Sequence, residues 1–321
     1  MSLPDVLTKN IRLPVFAAPL FIVSVPQLVI AQCKAGMIGS FPALNARPAA
    51  QLDEWMHEIE EALAAHDRAH PEAPAAPYAV NHIVHRSNDR LEHDVEATTK
   101  RKVPLIICSL GAREDVYAAA HSYGGIVMHD IINDRFARKA IEKGADGLVA
   151  VAAGAGGHAG SISPFALIQD IREWFSGPLA LSGCIARGES ILAAQILGAD
   201  FAYIGSPFVA TQEARAVDGY KDAIVAGSAA DIVGSSYFTG VFGNYLRPSI
   251  AAAGLDPDRL PQGDPADMTL GSDRSSRPKA WKDVWGCGQG IGAVKSVAST
   301  AELGARLQRE YAAAKARVAR L

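Results

Sequence analysis

Apolar residues along this chain gather in short, nearly unbroken blocks separated by longer amphipathic stretches. The blocks at 15–18, 37–39, 78–81, 103–108, 126–128, 147–151, 179–182 and 201–204 read as strands buried on both faces. Helical periodicity fills the intervals. One helix runs from Pro26 to Lys34 with Ser24 as its cap, and one covers 51–65 with an acidic face. Others cover 88–100, 113–121, the stretch from Asn133 to 143, 164–174 and 188–197. The same punctuation recurs at Gly36, Gly124, Gly144 and Gly198, each a helix end at a left-handed glycine followed by an apolar block. Eight such strand–helix units predict a TIM (β/α)8 barrel. The rival is an open doubly wound sheet, which usually carries a glycine fingerprint after its first strand; Ala18-Pro19-Leu20 stands there instead.

Beyond about residue 212 the period loosens. Aromatics and glycines mix over 235–248, and 256–278 is rich in proline, aspartate and arginine, which reads as a surface excursion. A tight glycine segment follows at 285–290. Ser299 and Glu302 form a capping box opening a helix over 299–321. We read 1–321 as one barrel domain, with 212–290 a cap over its mouth.

Composition narrows the partners. The 31 basic and 34 acidic residues nearly cancel, to −3, without a long run of either sign, which argues against nucleic acid or an anionic membrane. The amino terminus lacks a basic region leading into an apolar core, and no apolar run reaches the roughly 18 residues of a membrane span. A soluble, cytoplasmic protein is the expectation. Cys33, Cys108, Cys184 and Cys287 are scattered without metal spacing, so reduced thiols and no metal site are expected.

Barrel active sites lie at the carboxyl ends of the strands. That rule sets His57, His66, His70, His93 and His121 on helices, in solvent, and brings His82, His129 and His158 to the mouth. The loops after strands seven and eight, Ser182-Gly183-Cys184-Ile185 and Gly205-Ser206-Pro207, offer small residues, free amides and hydroxyls for an anion. After strand six comes Ala153-Gly154-Ala155-Gly156-Gly157-His158-Ala159-Gly160. Alone, this stretch suits a flexible loop as well as it suits a site that lets backbone approach a planar ligand. Asp130 makes neither a carboxylate pair nor a metal cluster. Together the loops suggest a phosphorylated planar cofactor; FMN suits them better than a sugar phosphate, which would want more side-chain hydrogen bonds.

Several segments carry a resemblance: Ala17-Ala18-Pro19-Leu20, Ala79-Val80-Asn81, the glycine-glycine-histidine stretch, Leu181-Ser182-Gly183, Ile204-Gly205-Ser206-Pro207-Phe208, and Trp285 with Gly288-Gln289-Gly290. In these the chain resembles the nitronate monooxygenases, FMN-containing TIM barrels, most strongly over 128–213. The resemblance implies that His158 is a catalytic base near the flavin, with a pKa close to its unperturbed ~6.5. It implies that Ala18, Pro19 and Leu20 supply backbone around the flavin and that Asn81 contacts it. It places Ser182, Gly183, Gly205 and Ser206 at the phosphate, and Ala155, Gly156 and Gly157 against the cofactor. His129 stands at the fifth-strand position, and Gln289 is expected to reach the flavin or substrate pocket. Many relatives have a second glycine where this chain has Cys184, a change that keeps the backbone amide. The implied reaction is oxidation of a nitronate or nitroalkane by oxygen, with a homodimer as the candidate assembly. Flavin-dependent quinone or enoyl-thioester reductases share the motif and stay open as alternatives. A flavin-free sugar-phosphate lyase or epimerase barrel stays open as a third.

Overall fold

The eight apolar blocks become parallel strands because each can bury both faces, one against its counterparts and one against a helix. In the computed structural model, which describes residues 3–264 and 278–320, they are β1 (Val15–Ala17), β2 (Gly39–Pro42), β3 (Tyr78–Ile83), β4 (Leu105–Ser109), β5 (Ile126–Ile131), β6 (Gly147–Val151), β8 (Leu179–Ser182) and β9 (Phe201–Ile204). The short β7 (Gly157–His158) lies between β6 and β8 in the chain and belongs to a second sheet. The main sheet runs β1-β9-β8-β6-β5-β4-β3-β2, and a parallel bridge between Phe16 and Ile38 joins its two ends. The fold is the TIM barrel.

Register decides which side chains enter the barrel. Ala79, Leu105, Ile107, Met128, Val149, Val151, Ala180, Phe201 and Tyr203 share one interior cluster. Their alternates Val80, Ile106, Cys108, Val127, Leu148, Ala150, Leu181 and Ala202 belong to the outer cluster, against the helices. By the same period of two, Asn81, Ser109, Asp130 and Ser182 point inward, whereas His82 and His129 point outward.

The helical layer comprises α1 (Pro26–Lys34), α2 (Gln51–Ala69), α3 (Leu91–Arg101), α4 (Glu114–His121), α5 (Asp134–Glu142), α6 (Pro164–Arg172) and α7 (Gly188–Leu197). Gly36, Gly124, Gly144 and Gly198 all have positive φ, at 79°, 84°, 101° and 115°, as left-handed helix exits require. Asn133 caps α5 by accepting from the Phe136 amide. Ser24 is not the cap of α1: Val25 holds that position, and the Ser24 hydroxyl accepts from Leu20 N–H instead. The second strand begins at Gly39, later than the expected 37–39.

After β9 come α8 (Ser206–Val209), α9 (Asp218–Ala226), β10 (Ile232–Ser235), β11 (Gly243–Leu246) and α10 (Arg247–Ala252). β10, β11 and β7 form a three-stranded antiparallel sheet, which ties the later chain to the glycine stretch after β6. Residues 265–277 of the expected surface excursion, and Leu321 at the end of the last helix, lie outside the described residues. No helix among the described residues is long and apolar enough to cross a membrane.

The last helix, α11 (Thr300–Val318), opens on the capping box: Ser299 accepts from Glu302 N–H, and the Glu302 carboxylate accepts back from Ser299 N–H. It packs on α7 through Gly188, where an added Cβ would sit 2.1 Å from Tyr311 N and 2.5 Å from Leu307 O. Both neighbours are backbone, so neither can rotate away. Gly188→Ala is therefore expected to cost about 2 kcal/mol or more of unfolding free energy. A denaturation midpoint equal to that of the parent would contradict this packing.

Candidate active site

The inward-facing residues at the carboxyl ends of the strands open into a cavity of about 240 Å³. Ala18, Pro19 and Leu20 after β1 form part of its wall, with Asn81 from β3, Ser109 from β4 and Asp130 from β5. Ala155, Gly156, Gly157 and His158 enter after β6. Ser182, Gly183 and Cys184 follow β8, and Gly205 and Ser206 follow β9.

One side of the cavity is a seam of glycines. An added Cβ on Gly154 would lie 2.2 Å from Cys184 Sγ, and one on Gly156 would lie 2.7 Å from the Gly288 amide nitrogen. The contact at Gly156 is backbone against backbone, which only glycine allows. Gln289 N–H donates to Gly154 O at 2.9 Å, and Asn244 Nδ2 donates to Ala155 O at 2.6 Å. Gly288 N–H donates to Ser206 Oγ at 2.9 Å, linking the seam to the loop after β9.

Against this seam, Gly183 and Cys184 adopt consecutive positive φ values of 140° and 58°. Among the described residues the amides of Gly183, Cys184 and Gly205 have no intramolecular acceptor. Among the described residues the cavity lining contains no lysine or arginine. An anion in these loops would thus be held by neutral donors.

The nitronate monooxygenase family profile matches residues 5–249. The chain belongs to the nitronate monooxygenase family. It is 26% identical over 342 residues to the nitronate monooxygenase of Paraburkholderia phytofirmans, covering 92% of each chain. It is 33% identical over 180 residues to a Mycobacterium tuberculosis chain assigned as a monooxygenase, and that match spans only 47% of the relative. Among solved structures, nitroalkane oxidase from Streptomyces ansochromogenes superposes with a TM-score of 0.76 at 21% identity, covering 97% of this chain and 99% of that one. FabK from Thermotoga maritima gives 0.76 at 20%, covering 98% and 96%. These two establish the shared fold.

Of the three histidines expected at the mouth, only His158 reaches it. His82 Nε2 meets Thr98 Oγ1 of α3 at 3.0 Å, and His129 Nδ1 meets the Tyr117 hydroxyl of α4 at 2.8 Å. Both lie on the outer strand face. Burial lowers each pKa to about 4, so both are neutral packing groups. The expectation that His129 contacts a cofactor is corrected by its strand parity. Gln289 stands at the rim: its exposed side chain lies over Cys184, Sγ to Oε1 3.8 Å, while its glycine neighbours line the cavity.

His158 is oriented by a contact that sequence reading missed. Its Nε2 lies 2.9 Å from Thr239 Oγ1, whose own hydroxyl donates to Val241 O at 3.0 Å. The Thr239 oxygen can then only accept, so Nε2 carries the proton and Nδ1 keeps its lone pair. Nδ1 has no partner among the described residues. Trp281 packs edge-on against the ring, centroids 5.3 Å apart, and lines the cavity with it. Protein encloses His158 on every side but the cavity, and this burial lowers its pKa to about 4, well below the expected ~6.5.

Asp130 sits on the cavity wall beside Ser109 and the Leu110 amide, whose dipoles favour its ionised form and partly offset its burial. Asn81 Nδ2 donates to Ser109 Oγ at 2.8 Å and to Ile107 O at 3.0 Å. Counting inward positions along β4 and β5 would have found both Ser109 and Asp130. Thr239 and Trp281 carry no local signal, because they reach His158 from far along the chain.

His158 should stay neutral, with Nε2 protonated, from pH 8 to about pH 5, and titrate near pH 4. Thr239→Val removes the acceptor and should populate the other tautomer. Long-range 15N–1H spectra of the imidazole check both. A midpoint near 6.5, or an unchanged Nε2–H tautomer in the variant, would contradict the assignment.

Proposed function

We propose that this cavity binds FMN and that the protein oxidises alkyl nitronates, and more slowly neutral nitroalkanes, with oxygen as electron acceptor. The observation that carries the reading is the glycine seam adjoining unengaged amides on the wall of one cavity, in a chain of the nitronate monooxygenase family. The residues suit FMN. The seam leaves a wall without side chains for a flat ring, and the amides of Gly183, Cys184 and Gly205 suit a phosphate. When bound, the flavin supplies a two-electron acceptor that oxygen can regenerate.

The rest is the protein's work. Residues after β8 and β9 hold the phosphate, while Ala18, Pro19 and Leu20 bound the ring region. The described residues of 212–264 and 278–290 contribute to the mouth and bring Thr239 and Trp281 to His158. The free Nδ1 of His158 accepts the proton of a neutral nitroalkane. A base with a pKa near 4 is weak for that task at neutral pH. A nitronate arrives already ionised and does not need it, which favours nitronates as the better substrates.

His158→Ala should retain its flavin and lose about 100-fold or more in kcat/KM on a neutral nitroalkane. On the preformed nitronate the loss should stay below about tenfold, because no proton is removed. Steady-state oxygen uptake with both forms of one nitro compound decides the matter. Equal losses on the two, or full nitroalkane activity, would contradict the base assignment.

A further inference from the structure

The cavity holds one carboxyl group that the proposed reaction does not use. Asp130 shares the inner strand face with Met128, and its neighbours inside the barrel are Ser109 and Tyr203. Cys108 and Tyr117 are the other ionisable groups close enough to sense its charge, and each is neutral at pH 7. His158 is the one other ionisable group with a pKa below neutrality on the lining, and it is neutral too. Among the described residues, nothing on the cavity wall compensates a charge on Asp130.

Sheet order fixes where that charge lies. In the ring β1-β9-β8-β6-β5-β4-β3-β2, β3 faces β8 and β4 faces β9 across the barrel. Asn81 and Ser109 on β3 and β4 therefore lie across the mouth from the anion loops after β8 and β9, and Asp130 on β5, next to Ser109, faces β1 and its wall of Ala18, Pro19 and Leu20. A ring lying between that wall and the strands opposite, with its phosphate in the loops after β8 and β9, would have Asp130 beside it. Asn81 Nδ2 is spent on Ser109 and Ile107, so the Ser109 hydroxyl is left to donate to the carboxylate.

We infer that Asp130 is a redox-tuning residue: its carboxylate, on the cavity wall beside Ser109 and Leu110, faces the ring of the bound flavin and disfavours the reduced form. The inference rests on the FMN reading above. Two-electron reduction with incomplete proton uptake adds negative charge to the ring, and an uncompensated carboxylate beside it opposes that charge. Burial pushes the Asp130 carboxyl up to about 6. The carboxylate, and with it the effect, is present above that pH and is lost as pH falls through it.

The test uses FMN-loaded wild type, Asp130→Asn and Ser109→Ala, each equilibrated anaerobically with a reference dye under xanthine oxidase reduction. At pH 8, Asp130→Asn should favour reduced over oxidised flavin at least tenfold relative to wild type, about 30 mV for a two-electron couple. Ser109→Ala leaves the carboxylate in place and mostly ionised at pH 8, so it should not reproduce that rise. At pH 5 the wild-type carboxyl is protonated, and the difference from Asp130→Asn should collapse. An Asp130→Asn potential equal to wild type at pH 8, or a difference of the same size at both pH values, would overturn the inference. If Asp130→Asn loses its flavin, the wild type decides: a potential–pH plot that does not steepen just above pH 6, where reduction should draw a proton onto the carboxylate, overturns it. Wild type that retains no FMN after reconstitution would instead remove the cofactor reading, and this inference with it.

Discussion

The site depends on one close approach of two backbones. Residues 154–157 and 286–290 meet with amide nitrogen and carbonyl carbon where a Cβ would have to stand. β7 and β11 hold the two stretches in register, with Gly243 opposite His158 and Asn244 opposite Gly157. That pairing makes the barrel loop after β6 part of a small sheet contributed by the later chain. His158 is consequently anchored on both sides, by the strand that delivers it and by Thr239 from the segment that follows β10.

The same enclosure sets the electrostatics. Removing water favours neutral forms, so one environment moves an acid and a base in opposite directions. The Asp130 carboxyl is pushed up and the His158 imidazole is pushed down. Without a lysine or arginine among the described lining residues, the cavity relies on backbone amides and hydroxyls to meet charge. Such a wall suits a ligand whose phosphate ends in one place and whose flat ring occupies the rest.

Most of the fold was legible because it rests on local rules. Every expected strand formed, and the four glycine exits took positive φ as helix termination demands. The site was legible in its loops, 18–20, 155–158, 182–184 and 205–206, which the barrel brings to one cavity. Histidine placement was legible only in part. Position after a strand does not say which face a side chain takes, and a single residue of parity separates His129, against α4, from Asp130, in the cavity. A glycine segment can line a cavity with its backbone while its one long side chain stands at the rim, as at Gln289. Thr239 and Trp281 depend on pairings between distant stretches, which no local period encodes.

The central claim is that the cavity holds a flavin reduced by nitronates. The most direct test is the visible spectrum of the FMN-reconstituted protein mixed anaerobically with an alkyl nitronate and, separately, with NADH. The flavin bands should bleach rapidly with the nitronate, regain colour on admitting oxygen, and change little with NADH. Bleaching by NADH with none by the nitronate, or a protein that takes up no flavin, would contradict that claim.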